Sequence, residues 1–299
     1  MLSPQLPVPE PDPAKVIRWV DHHLAGLFSG EVQRSGKYRG GQTAADAALA
    51  GFDVTGYAGR RNAVLPEEER GASGLSPYIR HGLLQLPVVW EAVDGGPARD
   101  VKKFRDELLW QEYGRHLYAR LGSRMAQPLR FTMTPADPRE MGDAMACVSY
   151  IRESLESDGW LVNQTRMWMA SHWSIRRGED WRVGEDWFFR HLLDGARAAN
   201  RAGWQWTAGL ATGRPYGFSR SQVATRAPEL CRRCDLQQTC PIEEWPPDPH
   251  LQPVERDERL YCDHDLRATA GPTDPVITGH PEAVWLTAES LGDCLLYTS

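Results

Sequence analysis

Residues 159–173 read GWLVNQTRMWMASHW, and residues 180–209 read DWRVGEDWFFRHLLDGARAANRAGWQWTAG. Seven of the chain's twelve tryptophans fall between Trp160 and Trp206. The stretches 160–177 and 184–199 are long, apolar and without period-two alternation, so both are expected to be buried helices. A tryptophan cluster packs a core by default. Indole is also readily oxidised, so closely packed rings can relay an electron hole. Arg166 and Asp194 read, on their own, as a partly buried ion pair. Asn200, ahead of Gly203, reads as a helix-end residue.

The helical pattern continues outward from this stretch. Ile17, Val20, Leu24 and Leu27 recur at helical spacing behind Pro13. Residues 28–76 are rich in Gly, Arg and Ala and suggest loops and short helices around Gly40-Gly41 and Gly71 to Gly74. Pro77 to Leu121 is patterned as helix, and Pro128 to Pro138 as a connector. Ala144, Val148, Ile151 and Leu155 mark an amphipathic helix that ends near Gly159. No alternating strand precedes residue 240 and no repeat is present. An all-α body over residues 1–245 is therefore expected, followed by an acidic, proline-rich linker at 246–281. AVWLTAE at 283–289 is the one convincing strand candidate. CLLYTS after Asp293 reads as a cloning scar, and residues 282–299 as a mobile tail that is the truncated start of an α/β domain.

In 299 residues, 41% hydrophobic and 25% charged content excludes a disordered chain. MLSPQLPVPEPDPAK has neither a basic n-region nor an apolar h-region, and no apolar run approaches roughly 18 residues. The expectation is a cytoplasmic protein with reduced cysteines. The net charge of −6 is unevenly spread: residues 241–299 hold 12 Asp/Glu against 3 Arg, leaving 31 basic and 28 acidic residues elsewhere. All basic residues but Lys15, Lys37, Lys102 and Lys103 are arginine. High-GC coding produces the same excess, so the charge permits a nucleic-acid partner without showing one.

CRRCDLQQTCP places Cys231, Cys234 and Cys240 at C-x2-C-x5-C-P spacing. Three such thiols can ligate one soft metal, and a proline after the last is frequent in iron–sulfur sites. A fourth ligand is required, with Cys147 and Cys262 as candidates. Zinc is the rival metal.

The two opening stretches closely resemble the flavin-binding domain of the DNA photolyase and cryptochrome family. GASGLSPYIRHG at 71–82 resembles that family's phosphate-binding segment. FRDELLWQEYGRHL at 104–117 resembles its substrate helix, and YAGRRN at 57–62 matches more loosely. The resemblance implies an all-helical domain that holds FAD through Tyr57, Ser73, Gly74, Leu75, Ser76, Arg166, Asp194, Gly195 and Asn200. It implies a pocket for a pyrimidine dimer of UV-damaged DNA formed by Glu107, Trp110, Asn163 and Met167, with Arg61 beside it. Trp204 and Trp181 match the first two members of an electron relay whose third member is missing upstream; Trp173 and Trp187 are the substitutes at hand. Cys147 lies at the offset of the upstream ligand in the iron–sulfur branch, which implies a [4Fe-4S] cluster on Cys147, Cys231, Cys234 and Cys240. The expectation is a flavin domain without the usual N-terminal antenna domain, with the resemblance suggesting that such a domain follows the tail.

Departures set the alternatives. Gln164 and Gln111 stand where the family carries arginines, Gly114 where it carries an aromatic, and Ala196 where it carries an aspartate. Val162-Asn163 lacks the paired histidines of enzymes acting on the (6-4) photoproduct. A light-dependent lyase and a blue-light or redox sensor, with a protein partner in place of DNA, both follow from this pattern.

Overall fold

The computed structural model describes residues 6–142 and 144–258. Packing divides the chain into two compact units, Met1–Arg39 and Gly40–Ser299. In the first, helix α1 (Pro13–His23) begins where its sequence says it should. Asp12 caps it, the carboxylate accepting the Lys15 N–H at 3.0 Å, with proline in the first turn. It stops short of Leu24 and Leu27, which were expected to continue it, and Gly26 takes φ +84° in the turn that follows.

The second unit is a helical body. Four short helices, α2 (Gln42–Ala50), α3 (Tyr57–Arg60), α4 (Ser76–Arg80) and α5 (Leu86–Glu91), precede the long α6 (Ala98–Leu121). The helical pattern of 77–121 is thus three helices, broken near Gly82 and Gly95, which both take positive φ. Helix α7 (Ala146–Asp158) ends ahead of Gly159, as its sequence indicates. Helix α8 (Asn163–Ser171) runs into a π turn at His172–Arg176, followed by α9 (Trp181–His191), α10 (Arg197–Thr207), α11 (Arg220–Arg226) and α12 (Pro228–Arg232).

The segment 184–199 is not one helix. The chain leaves helical geometry at Leu192, where the Leu193 N–H donates to the Gly159 carbonyl at 2.8 Å. Gly195 is required in this break: a Cβ there would lie 2.9 Å from the carbonyl oxygens of both Phe189 and Leu192. The break turns Asp194 towards the interior, where its side chain is 6% exposed.

The core joins Val148, Ile151 and Leu155 of α7 to Trp168 and Met169 of α8, Phe188 of α9 and Trp204 of α10, with Phe218, Val223, Leu230 and Ile242 completing it. Each large apolar side chain so buried contributes roughly 1.5–3 kcal/mol. On α7 these residues recur every three or four positions, which is why the period in the sequence reports that helix correctly.

One strand pair was not expected. Strand β1 (Phe131–Thr134) pairs antiparallel with β2 (His250–Pro253), Phe131 opposite Pro253 and Thr134 opposite His250. The Val254 N–H extends the pairing to the Arg130 carbonyl at 2.9 Å. The residues read as a connector and as the start of a linker therefore form a clamp across the body. Four-residue strands give too little alternation to detect, and each partner lies more than a hundred residues from the other. The strand candidate at 283–289, Cys262, Cys294 and the remainder of the linker and tail lie outside the described residues. No helix among the described residues is long and apolar enough to cross a membrane.

Candidate functional site

Helices α3, α4, α6, α8 and α10 surround a cavity of about 270 Å³. The sequence-predicted residues Tyr57, Ser73, Gly74, Ser76, Glu107, Asn163, Arg166 and Asp194 all line it, as does Arg61. Leu75 is fully buried in the core, and Gly195 contributes its carbonyl to Arg80 Nε at 2.8 Å. Asn200 is buried on α10 with its Nδ2 unpartnered. A neighbouring cavity is larger, about 510 Å³, with walls that include Ile79, Leu84, Leu86, Trp90 and Leu108. Size favours the neighbour, but the polar groups that chemistry needs converge on the first.

At the heart of that cavity Arg166 spans two elements. Its Nε donates to the Leu161 carbonyl at 2.9 Å and its NH2 to Asp194 Oδ2 at 2.8 Å. Asp194 Oδ1 has no partner. A buried carboxylate oxygen and a buried amide, both without partners, are costly unless a ligand satisfies them. At the cavity's other end Glu107 Oε1 meets Lys103 Nζ at 2.7 Å and Arg61 Nε at 3.5 Å. Burial, with the Glu107 carboxylate adding to it, pushes the Tyr57 hydroxyl far above the ordinary tyrosine range. Asp100 on α6 accepts the N–H groups of Gly56 at 2.9 Å and Ala58 at 2.8 Å, which docks α3 and so places Tyr57.

The serines are engaged as well as present. Ser73 Oγ accepts the Leu75 N–H at 3.3 Å, and Ser76 Oγ accepts the Trp160 indole N–H at 3.0 Å. Trp160, Asn62, Arg80 and Arg115 line the cavity and were missed from sequence. Arg115 follows Glu107 and Gln111 at four-residue intervals on α6, a signal that was available. Trp110 is 63% exposed, outside the cavity lining, with its ring 5.7 Å from that of Tyr113. Met167 also lies off the lining, where its sulfur accepts from Asn163 Nδ2 at 3.5 Å.

Gln164 is 2% exposed and donates to the Tyr216 hydroxyl at 2.6 Å. Among the tryptophans, Trp204 is buried and its ring contacts Trp173 at 6.4 Å, edge to face. Trp173 in turn stacks on Trp187 at 6.2 Å with an interplanar angle of 18°. Trp181 is buried but makes no ring contact with another tryptophan among the described residues; the Arg182 guanidinium covers it at 5.1 Å.

Cys147, Cys231, Cys234 and Cys240 line one further cavity, with Met145, Leu230 and Ile242 among its apolar walls. All four are free thiols. Burial, with the three other sulfurs adding to it, pushes the Cys147 thiol up to about 12. The Ala146 N–H approaches Cys234 Sγ at 3.5 Å. No three Cys, His, Asp or Glu side chains among the described residues stand in a metal-holding arrangement.

The model of the FAD-binding domain of DNA photolyase matches residues 148–229. A deoxyribodipyrimidine photo-lyase of Synechococcus sp. is 31% identical over 190 residues, covering 56% of this chain and 38% of that protein. One of Thermus thermophilus is 32% identical over 184 residues, 57% of this chain and 43% of the other. The chain thus spans roughly two fifths of the length of these curated relatives. Among solved structures, a cryptochrome of Synechocystis sp. PCC6803 aligns with a TM-score of 0.57 at 20% identity, over 70% of this chain and 49% of that one. A class III photolyase of Agrobacterium tumefaciens aligns with 0.53 at 24% identity, over 66% and 45%. These structural likenesses speak for the fold.

Proposed function

We propose that the chain, which is similar over residues 148–229 to the FAD-binding domain of DNA photolyase, is a light-dependent flavoprotein that splits pyrimidine dimers in UV-damaged DNA. The observation that carries the proposal is the shared cavity, where unpartnered Asp194 Oδ1 and the serines of the α4 entrance lie together with Glu107 and Asn163. The donor set fits FAD. Asp194 offers a buried, unused oxygen on the cavity wall, α10 carries the unpartnered amide of buried Asn200, and Ser73 and Ser76 bring hydroxyls to the wall at the entrance to α4. Bound and reduced, FAD would supply under illumination the electron that opens the cyclobutane ring and would take it back afterwards.

The chain's own residues then have separate tasks. Arg166 holds Asp194 in one rotamer, leaving Oδ1 for the cofactor. Glu107, fixed at Oε1 by Lys103 and Arg61, presents Oε2 to an extruded pyrimidine pair, and Asn163 offers an amide from α8. Trp204, Trp173 and Trp187 form a line of ring contacts suited to re-supplying electrons from outside. A repair assay tests the reading: oligonucleotides carrying a cyclobutane thymine dimer, single- and double-stranded, should be restored in blue light but not in darkness. Glu107→Ala should reduce the rate by about a hundredfold while flavin stays bound. Flavin-loaded protein that restores neither substrate would defeat it.

A second reading, a cryptochrome-like blue-light or redox sensor, is favoured by Gln164. Its amide is sequestered against Tyr216, so it brings no charge to a phosphate. We further propose that Cys147, Cys231, Cys234 and Cys240 ligate a [4Fe-4S] cluster, zinc being the alternative. Four free thiols from two distant segments around one cavity support this.

A further inference from the structure

Glu107, Gln111 and Arg115 occupy successive turns of one face of α6, and all three line the cavity described above. The stripe runs from a carboxylate through a neutral amide to a guanidinium. Arg61 and Arg166, on the same cavity, are matched within it by Glu107 and Asp194, and Arg80 is held by the Gly195 carbonyl at 2.8 Å. Arg115 is different. Its carboxylate partner, Glu112, is the i−3 residue on the same helix, at 2.9 Å, and faces the neighbouring cavity. The pair is half-buried, and an ion pair between residues three apart on one helix is a weak one. Arg115 lines both cavities, so its side chain has space on either side.

Arg115 reaches this wall where α6 packs against α10. Gly114, the preceding residue, is buried where α6 approaches α10: a Cβ there would lie 3.9 Å from the Ala198 backbone. With no side chain intervening, α6 lies close against the chain that carries Ala198 and Ala199, both also on the cavity wall. Ser73, Gly74 and Ser76 supply neutral donors to the same space. A diphosphate entering it brings two negative charges that hydroxyls and N–H groups alone do not neutralise.

We infer that Arg115 is the phosphate-binding cation of this cavity, a planar two-pronged donor that leaves Glu112 to meet the pyrophosphate of a dinucleotide. The inference rests on reading the cavity as a flavin site. It predicts selectivity by the phosphate rather than by the ring system.

The test measures affinity of the full chain, stripped of flavin, for FAD, FMN and riboflavin by quenching of flavin fluorescence. Arg115→Met should weaken FAD binding by about tenfold or more and FMN binding by less, while riboflavin binding changes by less than about twofold. Arg115→Lys should recover part of the loss, and the advantage of FAD over riboflavin should shrink with added salt in the wild type but not in Arg115→Met. Equal losses for FAD and riboflavin would make Arg115 a wall residue and overturn the inference, as would an unchanged FAD affinity. Wild-type protein that binds riboflavin but not FAD overturns it too, and protein that binds no flavin removes the reading beneath it.

Discussion

Asp194 is satisfied on one oxygen only, and that asymmetry makes it the most informative residue of the site. Replacing Arg166 by Met leaves a buried carboxylate with no cation, at a cost of about 3–5 kcal/mol. The expected result is protein that is folded by circular dichroism but purifies with little or no flavin absorbance. Asp194→Asn should keep the hydrogen bond's geometry and lose less. The tryptophans allow an equally specific expectation. Trp204→Phe and Trp173→Phe preserve packing but insert a ring that is much harder to oxidise, so both should slow flavin photoreduction with an external reductant. Trp181→Phe should slow it less, since Trp181 has no tryptophan neighbour at ring-contact range among the described residues. Equal effects of Trp173→Phe and Trp181→Phe on the initial rate would show that ring contacts do not set the route. Sequence matching alone favoured Trp181 because it records position in the chain; which indoles touch depends on the angle between α9 and the π turn after α8.

Whole elements depend on single contacts of the same kind. Helix α3 has only four residues and would not persist alone, so the two backbone N–H bonds accepted by Asp100 on α6 hold it in place. Those bonds hold the Asp100 carboxyl below its ordinary value. A depressed carboxylate stabilises the folded state above its unfolded pKa and loses that contribution as pH falls through the folded one. Urea titrations should therefore show stability declining below about pH 4, and Asp100→Asn should be less stable at pH 7 with a shallower decline on the acid side. Helix α7 was legible from its period, whereas α8 to α10 were legible only as apolar stretches without strand alternation. The break at Leu192–Ala196 was not, because it is made by a long-range bond from Leu193 to Gly159 and by the close approach at Gly195. The β1–β2 clamp was hidden for a related reason: neither strand is stable without the other. A chain truncated after Pro249 should retain flavin but melt several degrees lower, consistent with losing one small clamp. An unchanged melting temperature would mean that the pairing adds nothing.

At the scale of the molecule, the cysteines connect what the flavin cavity does not. Cys147 starts α7, on the core's inner face, whereas Cys231, Cys234 and Cys240 belong to the segment that leads from α12 into the clamp. The spacing of the last three could be read from the residues; their convergence with Cys147 was legible only through the resemblance, since it requires α7 and α12 to pack together. Burial raises the Cys147 and Cys231 thiols above the ordinary cysteine range, and all four sulfurs line one cavity whose other walls are largely apolar. If a metal closes this cavity, it crosslinks the helical body to its C-terminal strand. Anaerobically purified protein should then contain about four irons and four sulfides per chain, with broad absorbance extending through the visible blue. Cys231→Ala and Cys147→Ala should each lose that signal and lower the melting temperature together, because either one opens the same crosslink. Flavin should survive both changes, as no cysteine lines its cavity. One zinc per chain, without sulfide, would assign the site to the rival metal, and unchanged stability in both variants with no metal in the wild type would leave the cysteines as core residues only.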